Sequence, residues 1–185
     1  PGSSGGIGSS PTNVNTLAAG DIVAFLTVGG SLVIQTTGTG GNGDITQQDG
    51  ADIVYSSTNN LTLLANRNIV LNGSIQNNMT TDGGAINLVA GWDGTTPFSP
   101  TPYDAVDVNA ATASLFGNNN GSVNIGDGTQ TAGVAVGSRS GATRVYGHDL
   151  NILAGTGANG RYAQLGFQAT DQGASYAING ALSAR

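Results

Sequence analysis

Carboxylates are the residues of this chain best suited to hydrolytic chemistry. Hydrolysis of a sugar chain needs two carboxyl groups that face each other across a groove. Asp104 and Asp107 lie close together in the sequence, Asp127 follows about one repeat later, and the three form the candidate catalytic set. The single histidine, His148, has the sequence context of an exposed turn. Because aspartate is common in turns, we expect a non-catalytic protein, with a carbohydrate-active enzyme on the same fold as the alternative.

A second group of aspartates, Asp44, Asp49 and Asp52, is a candidate calcium site. Residues 40–44, Gly-Gly-Asn-Gly-Asp, match part of the glycine-rich nonapeptide repeat that binds calcium. That mechanism needs several oxygen ligands from consecutive turns, whereas the motif occurs here as a single copy. We therefore expect no cofactor, and calcium held by these three aspartates at one corner is the alternative.

The best candidate for ligand binding is a loop at residues 91–104. It carries the only tryptophan, Trp92, together with Phe98, Tyr103 and three of the five prolines. Proline cannot donate to a β-ladder, so this segment must leave the sheet. Exposed aromatic rings on a rigid scaffold offer sugars or proteins a large contact area at low entropic cost. The alternative is that the rings fold back and cover a flank of the scaffold.

The composition excludes several classes of partner. The chain has no lysine, glutamate or cysteine, 31 glycines, and a net charge of −6. A basic patch for nucleic acid is absent, and no apolar run is long enough to span a bilayer. Lysine and glutamate usually fill exposed helix faces, so their absence favours strands and turns. The start of the sequence lacks the features of a signal peptide, and we expect a segment of a longer protein.

Short apolar triplets recur along the sequence. An anchor position in each is separated from the next by about 17–20 residues, the spacing expected if each interval is one coil of a solenoid. We predict an all-β protein, a right-handed parallel β-helix of about nine coils over residues 17–185, preceded by a linker-like arm at residues 1–16. The triplets are Leu32-Val33-Ile34, Asp52-Ile53-Val54, Ile69-Val70-Leu71, Ile86-Asn87-Leu88, Val106-Asp107-Val108, Val123-Asn124-Ile125 and Arg144-Val145-Tyr146.

Two other structures compete for parts of this pattern. An antiparallel sandwich also has short strands separated by turns. Its strands are longer than the apolar triplets of this sequence, however, and it needs more hairpin turns than the sequence offers. A helix over the alanine-rich residues 104–116 competes with a strand there. The period-two alternation of Val106 and Val108 favours the strand. Residues 20–23 are also predicted to be a strand, and no amphipathic helix that could cap an end is evident.

The repeats resemble the filamentous-haemagglutinin-like exoproteins. The resemblance lies in residues 43–46 (Gly-Asp-Ile-Thr), 61–75 (Leu-Thr-Leu-Leu-Ala-Asn-Arg-Asn-Ile-Val-Leu-Asn-Gly-Ser-Ile), 84–91 (Gly-Ala-Ile-Asn-Leu-Val-Ala-Gly) and 162–167 (Tyr-Ala-Gln-Leu-Gly-Phe). It implies a secreted adhesin whose shaft is a right-handed parallel β-helix, exported by two-partner secretion through an outer-membrane barrel. The Asn-Pro-Asn motif of that family's secretion domain is missing.

The resemblance also implies location and partners. We expect an extracellular or cell-surface protein of a Gram-negative-type bacterium, acting as an adhesive shaft, fibre or biofilm-matrix segment. Host or matrix glycans or proteins are its implied partners, and a sugar-binding module is a second alternative. Unpaired strands at the ends of a solenoid favour pairing with another chain, so we also predict self-association end to end or through the arm at residues 1–16.

Overall fold

The computed structural model describes residues 15–37, 42–98, 121–156, 161–168 and 182–184. These residues form one helix, α1 (Ala19–Val28), and thirteen short strands. The strands are β1 (Leu32–Gln35), β2 (Ile45–Gln47), β3 (Ile53–Tyr55), β4 (Leu61–Ala65), β5 (Ile69–Leu71), β6 (Ile75–Asn77), β7 (Ile86–Ala90), β8 (Ser122–Ile125), β9 (Val134–Ser138), β10 (Thr143–Tyr146), β11 (Asp149–Ile152), β12 (Ala163–Leu165) and β13 (Leu182–Ala184).

The strands form three parallel sheets that the chain visits in strict rotation. Sheet A has the order β1-β4-β7-β10-β13, sheet B the order β2-β5-β8-β11, and sheet C the order β3-β6-β9-β12. Every strand pairing is parallel. We call one passage through sheets A, B and C a coil. The described strands make four coils and the first strand of a fifth, and the prediction of a mainly parallel, all-β architecture is confirmed.

The predicted coil length is wrong. Ile34 lies opposite Leu63, and Leu63 lies opposite Leu88, so equivalent positions in successive coils are further apart in the sequence than the predicted interval. The anchor residues Ile34, Ile53 and Leu71 belong to three different sheets, A, C and B. The regular interval therefore connects strands on different faces. The nine coils expected from it are not confirmed, because three strands, and not one or two, make a coil.

The core lies between the three sheets. Leu61 of sheet A, Ile69 of sheet B and Ile75 of sheet C are fully buried in a single apolar cluster. Alternation along each strand sends every second side chain inward, and the parallel register stacks each one on its equivalent in the next coil. Burying each such side chain contributes about 1.5–3 kcal/mol, so the stacked apolar positions account for most of the stability of the coils.

Helix α1 covers the first coil, which corrects two predictions. Residues 20–23 lie in this helix and are not a strand, and the helix buries Ile22 and Leu26 in the core. It packs against β3, and its Leu26 carbonyl accepts hydrogen bonds from Ser57 Oγ (2.8 Å) and Asn59 Nδ2 (2.7 Å). An apolar pair at i and i+4 faces one side of a helix, which lets this short segment cap the exposed core.

The connections between sheets A and B differ widely in length. Three residues join β4 to β5 and two join β10 to β11, whereas residues 91–121 separate β7 from β8. Both ends of this insertion are held at one corner, where Gly91 N donates to Arg67 O at 2.8 Å. A Cβ on Gly121 would lie 2.0 Å from that nitrogen and 2.2 Å from that oxygen, so only glycine fits there. The insertion is therefore a local addition to an otherwise regular coil.

Candidate ligand-binding site

The outer face of sheet A presents two rows of stacked side chains. The parallel register aligns Val33, Thr62, Asn87 and Arg144 in one row. Within it Asn87 Nδ2 donates to Thr62 Oγ1 at 3.1 Å, and Arg144 Nη1 donates to Asn87 Oδ1 at 3.4 Å. Its three polar members, Thr62, Asn87 and Arg144, form a polar ladder across the strands of three successive coils.

The second row is mainly apolar and anchors the insertion. It consists of Gln35, Leu64, Val89 and Tyr146 in register. Trp92, which is only 4% exposed, packs in a small cluster with the last three of these residues. The first part of the insertion therefore folds back onto the outer face of sheet A.

A compact turn holds the tryptophan in place. The Trp92 Nε1–H donates to the carbonyl of Thr96 at 2.8 Å. Asp93 Oδ1 accepts hydrogen bonds from the backbone amides of Thr95 (2.8 Å) and Thr96 (2.7 Å), and Thr96 Oγ1 donates to Asp93 Oδ2. Burial opposes ionisation of this carboxyl, but the hydrogen bonds from Thr96 and Thr95 outweigh it and lower the pKa of Asp93. The turn thus keeps its carboxylate charged and committed to the backbone.

Phe98 closes the loop over the second row. Its ring meets that of Tyr146 edge-on, with centroids 6.0 Å apart and planes inclined by 65°. Phe98 remains half-buried and Pro97 is exposed. Of the predicted aromatic site, Trp92 is thus an anchor buried beneath the loop, Phe98 keeps part of its surface accessible, and Tyr103 lies outside the described residues.

Between the polar ladder and this loop lies an open groove of about 500 Å³. Its floor carries Thr62 and Asn87, and one wall is formed by Pro97 and Phe98. No hydrogen bond to the Gln35 side chain is found within the described part of the chain, although this amide lines the groove. The remaining lining residues are Ser31, Leu32, Val33, Asn60, Leu64, Trp92, Gly94 and Thr95. The groove therefore combines neutral polar groups with an apolar wall.

The three candidate calcium ligands are engaged separately. Arg67 binds both carboxylate oxygens of Asp44, with Nε 2.7 Å from Oδ1. Asp49 Oδ2 accepts hydrogen bonds from the amide (2.8 Å) and hydroxyl (2.6 Å) of Thr131. Asp52 Oδ1 accepts one from the amide of Ser74 at 2.7 Å. Across the described ranges, no group of three or more acidic, histidine or cysteine side chains is arranged to hold a metal ion.

These contacts set the charge state of the aspartates. Burial opposes ionisation of Asp44, but the hydrogen bonds and positive charge of Arg67 outweigh it and lower the pKa of that carboxyl. The Thr131 hydroxyl and amide lower the pKa of Asp49. Each of these carboxylates lies in one coil and binds a residue of a later coil. They connect coils and do not form a common site.

Of the three candidate catalytic aspartates, only Asp127 lies in the described part of the chain. Asp127 accepts hydrogen bonds from the Thr129 hydroxyl on Oδ1 (2.7 Å) and from Asn72 Nδ2 on Oδ2 (2.7 Å), and the Thr129 contacts lower its pKa. His148 is exposed, and its Nδ1 lies 3.2 Å from Asp149. Asp104 and Asp107 lie outside the described residues.

Comparison with known proteins does not assign this chain to a family. No protein-family model, curated protein or solved structure matches the chain. In the described part of the chain there is also no helix with the length and apolar character needed to cross a membrane.

Sequence reasoning missed the residues of the groove floor. Thr62 and Asn87 each stand between two apolar residues of a strand, where their polarity marks the position that faces away from the core. That signal was available from the sequence, but their alignment across coils requires the register, which depends on the lengths of the connections.

Proposed function

We propose that this chain is a non-catalytic structural segment of a secreted adhesive shaft or extracellular fibre. The observation that carries the proposal is the strict rotation of strands through sheets A, B and C. Each coil adds the same rise of about 4.8 Å along one axis, so a chain of many coils becomes a long, stiff rod. Contacts such as Asp44–Arg67 and Asp49–Thr131 tie one coil to another.

The finer fold proposed is a closed, right-handed parallel β-helix. Support comes from the single core cluster, which draws side chains from all three sheets. Parallel strands of one sheet that are joined through a crossover connect right-handedly in about 98% of cases, so the same handedness is expected in every coil.

Its proposed location and export follow from the resemblance to filamentous-haemagglutinin-like exoproteins. The test is immunogold electron microscopy on intact cells of the bacterium that encodes the chain, using antibodies against the purified protein. Labelled surface fibres, together with loss of attachment to glass or host cells after gene deletion, are the expected result. Labelling that appears only after permeabilisation would refute a surface role.

The alternative proposal is a carbohydrate-active enzyme. Of its candidate residues, Asp127 is oriented by hydrogen bonds from Asn72 and Thr129. We expect no turnover on a panel of plant, bacterial and host polysaccharides. Turnover that disappears in Asp127→Asn would establish the enzyme instead.

Self-association of this chain is proposed to occur through β11, the edge strand of sheet B among the described strands. Leu150 and Ile152 lie in register with the fully buried Val123 and Ile125, yet they are 36% and 44% exposed. The opposite end is covered by α1. A second copy of the chain placed against β11 would bury these apolar side chains and pair its edge.

Sedimentation velocity over a range of protein concentrations tests this assembly. We expect the wild-type chain to form dimers that Leu150→Asp abolishes. Val28→Asp is the matched control, because Val28 is an exposed apolar residue on α1 at the other end. Dimers that resist Leu150→Asp, or that are lost only in Val28→Asp, would contradict the assignment of the interface.

A further inference from the structure

We propose that the groove on the outer face of sheet A is a binding site for a neutral oligosaccharide. Its polar floor consists of the ladder residues Thr62 and Asn87, with Gln35 beside them, and its apolar wall consists of Pro97 and Phe98. The occupant would lie across the strands, along the row of stacked side chains.

The position of the groove sets it apart from the rest of the scaffold. Two of the A-to-B connections are tight turns, whereas the one after β7 is a long insertion that takes up residues 91–121. In repeat proteins, an insertion into a single repeat commonly marks a binding face. Here residues 91–98 fold back onto the outer face of sheet A and wall off part of it.

The hydrogen-bonding groups of the groove match the hydroxyls of a sugar. Side-chain amides and hydroxyls each provide both donors and acceptors, as sugar hydroxyls do. Asn87 and Thr62 are buried and bonded to each other at 3.1 Å, so they form a fixed polar floor, and the partly exposed Gln35 is the main hydrogen-bonding group offered to a ligand. The Gln35 amide keeps its hydrogen-bonding capacity for a ligand, since no bond to it occurs within the described part of the chain.

The charge of the groove selects against anionic ligands. None of its described lining residues carries a charge. Arg144 follows Asn87 in the ladder, but it is directed to the Asn87 oxygen and does not line the groove. With a net charge of −6 on the whole chain and no cation in the lining, a carboxylated or sulfated sugar would lose solvation without gaining an ion pair.

The apolar wall supplies the remaining recognition. Pyranose rings present a face of C–H groups, which packs favourably on aromatic and apolar surfaces. The half-buried Phe98 ring and the exposed Pro97 form such a surface, and the buried Trp92 holds the loop against the sheet. A groove of about 500 Å³ lies within the size range of small-molecule sites and accommodates two or three sugar units.

This inference extends the proposed function but does not depend on it. A shaft can bear the groove or lack it, and surface labelling of cells is independent of sugar binding. The two proposals therefore fail separately.

The test uses saturation-transfer NMR and calorimetry with the full chain and trisaccharide probes. The neutral probes are maltotriose, cellotriose, mannotriose and α-1,4-linked galactotriose. Trigalacturonic acid is the charged counterpart of galactotriose, with the same stereochemistry. We expect at least one neutral probe to bind, and trigalacturonic acid to bind more weakly than galactotriose.

Matched variants locate the binding. Gln35→Ala should weaken binding about threefold to tenfold, as loss of a neutral hydrogen bond implies, and Phe98→Ala should weaken it about tenfold. Gln48→Ala and Phe25→Ala are the controls, because they remove the same side chains from exposed positions outside the groove. Both should bind like the wild type.

Three results would overturn the proposal. One is that none of the four neutral trisaccharides binds. Another is that Gln35→Ala and Phe98→Ala, with circular dichroism spectra and melting temperatures like those of their controls, bind with wild-type affinity. The third is tighter binding of trigalacturonic acid than of galactotriose.

Discussion

Replacement of Asn77 by alanine should destabilise the protein more than replacement of any neighbouring polar residue. Asn77 lies at the end of β6 and is fully buried. Its Oδ1 accepts hydrogen bonds from the amides of Ser57 (3.2 Å) and Met79 (3.1 Å), and its Nδ2 donates to the carbonyls of Ser57 (2.8 Å) and Gly84 (3.1 Å). One side chain thus joins the corner of the first coil to that of the second.

The expected cost follows from what happens to each partner. The Ser57 carbonyl still accepts from Gly84 N, and the Gly84 carbonyl still accepts from Ser138 Oγ, so neither is orphaned. The amides of Ser57 and Met79 do lose their acceptor. An unsatisfied buried donor costs about 1–3 kcal/mol, with less at the half-buried Met79, so we expect a loss of roughly 2–4 kcal/mol.

Urea unfolding followed by circular dichroism and by the fluorescence of the single tryptophan measures this loss. With a urea slope of about 2 kcal/mol/M, the midpoint should fall by about 1–2 M. Asn78→Ala is the matched control, because the adjacent Asn78 side chain is exposed, and its midpoint should stay at the wild-type value. If Asn77→Ala and Asn78→Ala have the same urea midpoint, the hydrogen bonds of Asn77 do not stabilise the coils.

Two further perturbations have defined outcomes. The pKa values of Asp44 and Asp49 lie below their ordinary value of 3.8, so the stability these groups contribute is complete above that pH and is lost as the pH falls through their lowered folded-state values. Urea midpoints should therefore drop below about pH 4, and Asp49→Asn should flatten the drop; an unchanged pH profile in that variant would contradict the assignment. Gly121→Ala should cost about 1–3 kcal/mol or more by calorimetry, because its Cβ would meet backbone atoms at 2.0 and 2.2 Å. Its control Gly20→Ala, in α1 with open space around it, should raise stability slightly, and equal melting temperatures for the two would refute the packing argument.

The strands themselves could be predicted from local sequence, but their assignment to sheets could not. The triplets Ile69-Val70-Leu71, Ile86-Asn87-Leu88 and Val123-Asn124-Ile125 are confirmed as β5, part of β7 and part of β8. In all three sheets, the strands bury the same kinds of apolar side chain at alternate positions. The sequence of a triplet therefore does not identify the sheet to which it belongs. The regular interval joins strands of different sheets and does not measure the length of one coil.

Helix α1 was missed because its local signals are weak. It contains Gly20 and β-branched residues, and Ala18 provides no side-chain cap at its start. These features disfavour a helix in isolation. The segment is helical because burying Ile22 and Leu26 over the open end of the core outweighs local propensity, and that end exists only once the coils have formed.

The candidate site also depends on contacts between distant parts of the sequence, which local patterns do not predict. The loop around Trp92 was found from its prolines and aromatic residues, yet the burial of Trp92 depends on Leu64 and Tyr146, which come from distant parts of the sequence. Gln35 and Asn87 draw attention to the groove only when the register places both on one face.

The distribution of charge explains why recognition by this protein is expected to use neutral groups. Among the described residues, carboxylates such as Asp44, Asp49 and Asp127 lie at the corners, where they accept hydrogen bonds from other coils or from their own turns. These hydrogen bonds orient the carboxylates and link the corners of different coils. On the outer face of sheet A, Thr62 and Asn87 likewise join two coils through their hydrogen bond, whereas the partly exposed Gln35 makes no side-chain hydrogen bond within the described residues. Gln35 can therefore change without loss of a contact between coils, which is the condition under which a binding surface can arise on a structural scaffold.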